Sequence, residues 1–246
     1  MKKNTVAQSL FALFFVVIMA GCASAPVSIA DCGPVAVIAV NGNPALPWEL
    51  DESDDESTDD GNGVLTTMVN KLVDGSNPEL TTGKDRLDYA LNSLKAGLLD
   101  IAGVEVIDTE AVLAAENYQS IRESVFNMLD TKISAAELKT ISSIGAKHAR
   151  MLMSELNAKT LLLLDFEFRK TCIKGNKWNG NIAPMLTMKV HMINSRGKEV
   201  VNRTFMLKSS KYVSVSGRKY DKSALVGLYP ELIDNAISQF IVSYIQ

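Results

Sequence analysis

Two unbroken apolar runs, VAVIAV at 35–40 and LLLL at 161–164, do most to limit what this 246-residue chain can become. A strand that alternates apolar and polar residues can leave one face in water. A strand apolar at every position must be covered on both faces, and such strands belong to parallel or mixed sheets with helices packed against them. Asn41-Gly42-Asn43-Pro44 closes the first run with turn residues.

The chain between these runs is patterned for helices. Over 85–101, Leu87, Ala90, Leu91, Leu94 and Leu98 share one face, while Asp88, Asn92 and Lys95 point away. Gly103 stops this helix, 104–107 (VEVI) follows as a short second strand, and Asp108 or Thr109 can cap a helix through Val112 and Leu113. A strand–helix–strand order of this kind favours parallel strands with a right-handed crossover. Residues 118–157 are expected to be a helical insertion. Ile121, Val125, Met128 and Leu129 form one stripe there. Ser134-Ala135-Ala136-Glu137 has the form of a capping box, opening a helix whose face holds Leu138, Ile141, Ile144, Met151, Leu152 and Leu156, with His148 close by. Helices this apolar on one side pack on a sheet, or lie in a membrane interface or a partner's groove.

The second apolar run changes character at Asp165. Phe166 and Phe168 then alternate with Glu167 and Arg169, which suits a sheet open to water on one face. Lys174, Lys177 and Trp178 lie in a basic loop and are the candidate contact residues, although a tryptophan there can equally tuck against the body. Residues 184–207 read as an antiparallel hairpin turning at Asn194-Ser195-Arg196-Gly197, with His191 on its water side; 207–215 extends the sheet or runs as loop. From Ser223 the chain closes with an amphipathic helix, which Pro230 kinks or restarts. The expected fold is α/β: a mixed sheet of about four to five strands, parallel in its first part and antiparallel in its later hairpin, with packed helices, as a single domain over 34–246.

At the other end of the chain, Lys2 and Lys3 precede an apolar run over 10–20, then small residues and Cys22. This is the layout of a secretory signal, too short to span a bilayer as a helix. Met19-Ala20-Gly21-Cys22 resembles the lipobox of bacterial lipoproteins, with Met19 where leucine is usual. The resemblance implies a signal peptide over 1–21 and an acylated Cys22 (a palmitate-bearing anchor) followed by a lipidated tether over 22–33. An ordinary cleaved signal with a free Cys22 is the alternative. Ala23 is not the aspartate that retains enteric lipoproteins at the inner membrane, so the analogy points to the outer membrane, facing the periplasm. The tether reaches roughly 35 Å at about 3.3 Å per residue, which keeps the body near its membrane.

Charge narrows the partners. With Lys2 and Lys3 removed, the 25 basic side chains fall to 23 against 28 acidic ones, a net charge near −5. A body this acidic, with no basic cluster in its sequence, argues against nucleic acid and against electrostatic docking on anionic lipid. Eight carboxylates fall within 49–60, but an EF-hand frame that places Gly61 at the glycine position puts Thr67 where the closing glutamate belongs. An acidic, solvated loop over 49–63 is expected instead, then a short helix over 64–73. No metal or cofactor is assigned. An oxidising compartment would permit a disulfide between Cys32 and Cys172. If their strands run parallel, however, the two lie at opposite ends of the sheet, and two separate thiols are expected.

The order of elements, carried by VAVIAVNGN, LDYALNSLKAGLLDIAGVEVIDTEAVL, ARMLMSELNAKTLLLLDFEF and LTMKVHMINSRGKEVVNRTF, resembles a group of bacterial envelope proteins sharing one α/β fold. These are the TolB amino-terminal domain, the curli-secretion lipoprotein CsgG and the penicillin-binding-protein activator LpoB. The chain departs from each: it has no β-propeller, its 186–206 region is too polar for a CsgG-like membrane hairpin, and its tether is short beside that of LpoB-like activators. No partner-contact residue carries over. There is no G-x-S-x-G, P-loop or H-E-x-x-H, and the two histidines are far apart, so no catalytic residue is assigned. The expected function is that of a lipid-anchored, non-catalytic adaptor or assembly factor working through an envelope protein partner. The alternative is an outer-membrane lipoprotein whose 118–157 helices engage the bilayer.

Overall fold

The computed structural model describes residues 28–49, 83–123 and 132–245. The signal segment, Cys22, most of the acidic stretch, the 64–73 helix and the middle of the 118–157 region lie outside the described residues.

After a single helical turn, α1 (Ile29–Cys32), the first apolar run becomes strand β1 (Val35–Gly42), buried at every position. Helix α2 (Gly83–Ala102) buries Leu87, Ala90, Leu91, Leu94 and Leu98, the face its spacing predicts. It ends where Gly103 takes a left-handed φ of 61°. Two short helices, α3 (Thr109–Ala114) and α4 (Glu116–Gln119), lead to the two-residue strand β2 (Ile133–Ser134). Helix α5 (Ala146–Leu156) precedes the long hairpin of β3 (Thr160–Gly175) and β4 (Gly180–Asn194). Strands β5 (Glu199–Lys208) and β6 (Val213–Val215) and helices α6 (Lys222–Val226) and α7 (Tyr229–Tyr244) complete the chain.

The sheet runs β2-β1-β3-β4-β5, with β6 continuing beside β4 beyond β5. Strands β1 and β3 are parallel, with Val35 opposite Thr160, and every other pairing is antiparallel. This is the mixed α/β sheet expected, with the brief β2 and β6 added at its margins. Helices α2 and α7 pack together over one face. There Gly42 approaches Leu87 and Phe168, Phe168 meets Tyr229 edge to face with ring centroids 5.3 Å apart, and Phe205 packs against Phe240. Helices α3 and α5 pack against β1 and β3. The change of character along β3 is as its sequence reads: Thr160 to Leu164 are buried throughout, whereas from Asp165 to Arg169 only Phe166 and Phe168 are buried. Pro230 lies in the first turn of α7, so it starts a helix and bends none.

Two expectations need correction. Residues 104–107 do not form a second strand: Val106 makes one parallel bridge to Val35, with Val35 N donating to Glu105 O and Ile107 N to Val35 O, before α3 begins. The parallel partner of β1 is β3. The capping box at 134–137 opens no helix. Ser134 pairs with Asn41 and its Oγ donates to Val40 O, Ala136 and Glu137 take positive φ, and Ala136 N donates to Asp88 Oδ1 at 2.8 Å. Tertiary partners for these groups outweigh a local helix preference. Among the described residues of 118–157, helix is confined to the end of α4 and to α5, and Tyr118, Leu138, Ile141 and Leu152 are buried in the protein body. Cys32 and Cys172 carry free thiols, and parallel pairing of β1 with β3 sets them at opposite ends of the sheet.

Candidate functional site

Alternation along β3, β4 and β5 sorts side chains onto two faces. Beyond Leu164, the face away from α7 carries Asp165 opposite Lys189 and Thr204, then Glu167 opposite Thr187 and Met206, then Arg169 opposite Met185 and Lys208. Met206 is 67% exposed, an unusual position for a long apolar side chain in the middle of a strand. On the other face Phe205 meets Phe240 and Tyr244 of α7 edge to face, and Arg203 Nε donates to Tyr244 Oη at 3.0 Å. The sheet is thus covered on one side and open on the other over its second half.

A cleft of about 420 Å³ sits where the cover stops, lined by Asn43, Lys132, Asp165, Thr187, Lys189 and Thr204, among others. Lys132 Nζ donates to Asp165 Oδ2 at 2.6 Å, while Asp165 Oδ1 is buried without a partner among the described residues. Glu167 accepts from Arg169 Nε at 2.8 Å. At the far end of the face His191 Nδ1 meets Glu199, and Asn202 Nδ2 donates to Glu199 Oε2 at 3.1 Å. Burial pushes the Glu199 carboxyl up, but these hydrogen bonds outweigh it and leave the group below its ordinary range. Each carboxylate here has a cationic or amide neighbour, an arrangement suited to matching a polar protein surface.

The face ends at β5, the terminal strand of the ladder. Apart from its pairing with β4, residues 199–208 enter no backbone hydrogen bond among the described residues. A ten-residue strand with one open edge can accept an added strand, with alternate side chains supplying specificity.

The predicted contact residues lie elsewhere, at the tip of the β3–β4 hairpin. Lys174 is exposed, and Trp178 is 42% exposed with Arg218 over its ring at 5.0 Å. Lys177 reaches back over the ring of the buried Trp48 at 5.1 Å. Cys32 is buried at the opposite end, where desolvation raises its thiol to about 11, and His148 is exposed on α5. Among the described residues no three His, Cys, Asp or Glu side chains gather as metal ligands. Alternation in β3 and β4 already signalled an open face. The roles of Lys132, Thr204 and Met206 depend on strand register, which the sequence does not display.

No protein-family model matches the chain. Over 123 residues it is 28% identical to a D-aminoacyl-tRNA deacylase of Natronomonas pharaonis; the match takes in 48% of this chain and 24% of that protein, so the chain spans about a quarter of the length of the curated relative it matches. Among solved structures, the LpoB C-terminal domain from Salmonella enterica aligns at a TM-score of 0.32 and 10% identity, covering 77% of this chain and 87% of that one. Lipoprotein GNA1162 from Neisseria meningitidis aligns at a TM-score of 0.26 and 12% identity, covering 82% and 97%. At TM-scores this low the likeness is a loose matching of elements, and no role passes from either protein to this chain.

Proposed function

We propose that this chain is a lipid-anchored, non-catalytic adaptor of the bacterial cell envelope that holds a protein partner across the open half of its sheet and the free edge of β5. The observation that carries the reading is the half-covered sheet: Glu167, Thr187, Lys189, Thr204 and Met206 form a polar face with one prominent apolar side chain, ending in an edge strand. Such a face joins backbone pairing to side-chain contacts, the usual basis of strand addition. Cys22 supplies the anchor through the lipobox resemblance, and the tether keeps the body within reach of partners at the same membrane. The outer-membrane address rests on Ala23. The non-catalytic half of the reading is supported by the missing catalytic motifs. Against the alternative of lipid-engaging helices stands the burial of Tyr118, Leu138, Ile141 and Leu152 in the body; Val125, Met128 and Leu129 of the same stretch lie outside the described residues.

The test is a photo-crosslinking amino acid placed at Met206 of the full-length protein in native membranes, with Met151 on α5, 43% exposed, as the control position. A discrete protein adduct from position 206 and not from 151 is the expected result. Identical adducts from both positions, or none from 206, would sink the reading, and a lipid adduct alone would favour bilayer contact.

A further inference from the structure

The end of the sheet away from the tether gathers positive charge that is invisible in the sequence as a run. Lys170 is fully buried on β3, donates from Nζ to Leu46 O at 2.6 Å and lies 4.9 Å over the Trp48 ring. Lys177 approaches the same ring. The 216–219 turn docks on the hairpin tip, with Arg218 N donating to Trp178 O and Gly217 N to Asn179 Oδ1, both at 2.9 Å. That docking sets Arg218 over the Trp178 ring at 5.0 Å, one residue along the hairpin tip from Lys177, with the exposed Lys219 following it in the turn. Asp221, two residues beyond Lys219, accepts from Ala224 N at the start of α6. Trp48, only 6% exposed, holds an indole N–H that finds no acceptor among the described residues.

The chain leaves the described structure at this same place. Trp48 bridges Lys170, Lys170 N donates to Pro47 O, and Glu49 N donates to Lys170 O at 2.8 Å. After Leu50 comes DESDDESTDD at 51–60, with seven carboxylates in ten residues and no basic residue. We infer that this basic, tryptophan-bearing end of the sheet is a docking surface for a carboxylate-rich peptide, and that its occupant is the chain's own 51–60 stretch. Ten extended residues reach roughly 33 Å, so nothing in the connection prevents contact with Lys177, Arg218 and Lys219. Tethering at Glu49 gives the stretch an effective concentration on the order of millimolar, enough for individually weak, screened charge pairs to dominate over a free competitor.

Zero-length carbodiimide coupling of the full-length protein, followed by peptide mapping, tests this. Amide bonds from 51–60 carboxylates to Lys174, Lys177 or Lys219 are expected at low salt and lost near 1 M salt, where screening acts over about 3 Å. Coupling spread equally to remote lysines such as Lys95 and Lys147 would overturn the assignment. So would coupling found only between isotopically distinct copies in a mixed sample, which places the stretch on a neighbouring molecule. A second readout uses a variant with the seven acidic residues of 51–60 changed to Asn and Gln. It should bind a free DESDDESTDD peptide at least about tenfold more tightly than the parent protein, because the tethered competitor is gone. Equal binding by the two proteins would also overturn the proposal.

Discussion

The side-chain amide of Asn43 closes both backbone hydrogen bonds of Phe168: Phe168 N donates to Asn43 Oδ1 at 2.8 Å, and Asn43 Nδ2 donates to Phe168 O at 2.9 Å. Strand β1 ends one residue earlier, at Gly42. A side chain therefore stands in for the next rung of the parallel ladder, and the backbone resumes at Lys170 through Pro47 and Glu49. Only an amide offers a donor and an acceptor at the right spacing to do this.

Replacing Asn43 with alanine should cost about 1–3 kcal/mol, since the Phe168 N–H and C=O lose their partners in a partly buried site. Aspartate should fare little better, because it accepts but cannot donate at neutral pH. Chemical denaturation of the two variants against the parent checks this, and unchanged midpoints for both would refute it.

Gly197 turns the β4–β5 hairpin with φ 73°, and a Cβ there would come within 2.5 Å of Ala146 O at the start of α5. Gly197→Ala meets a left-handed backbone and a clash together. A loss of about 1–3 kcal/mol is expected from the backbone alone. Thermal melts of the variant measure it, with Gly217→Ala, whose added Cβ meets open space at φ 53°, separating the backbone effect from the contact.

Much of this architecture is legible in the residues, and the failures have a common cause. VAVIAV and LLLL read correctly as doubly covered strands because full apolarity has few other uses, and the leucine face of α2 follows from spacing alone. Residues 104–107 and 134–137 misled because their local patterns are short, and long-range partners decide short segments: Val35 takes one bridge from Val106, and Asn41 takes Ser134 into the sheet. The open face was half visible, through alternation in β3 and β4. Its pairing with Thr204 and Met206, and the gathering of Lys177 with Arg218, are properties of register and turn docking between segments far apart in the chain.

Tyr118 ties three segments together. Its Oη donates to Ile38 O at 3.0 Å and accepts from Lys139 N at 2.7 Å, and burial pushes its phenol up to about 12 from an ordinary 10.0. A raised folded value means that the neutral phenol is favoured by folding. Its contribution is therefore complete below about pH 10 and is lost as pH climbs toward 12. Tyr118→Phe should cost about 1–3 kcal/mol at neutral pH and should lose less further stability between pH 9 and 11 than the parent. Denaturation midpoints at several alkaline pH values decide it, and parallel curves for the two proteins would count against this role.

The two body cysteines should differ sharply toward a thiol reagent. Cys32 is fully buried and its thiol is raised to about 11, whereas Cys172 is partly exposed near the hairpin tip. Thiolate is the reactive species, so burial and a raised pKa both slow Cys32. Cys172→Ala should remove the fast phase of labelling and Cys32→Ala a slow phase that denaturant accelerates. Protection of both thiols that is lifted only by a reductant would show a disulfide and contradict the parallel placement.

Met206 gives the most direct check on the proposed partner face. It stands on the open side of β5, opposite Thr187, and its removal leaves the α7 face untouched. Met206→Asp should therefore leave stability within about 0.5 kcal/mol, the usual range for a surface change. It should nevertheless weaken partner capture, because a charge replaces the one prominent apolar contact on that face. Pairing a denaturation curve with the adduct yield from a crosslinker at the neighbouring Thr204 separates the two effects. Loss of adduct at unchanged stability is the expected outcome. Loss of both would mean that the side chain serves the fold, and loss of neither would move the partner site away from this face.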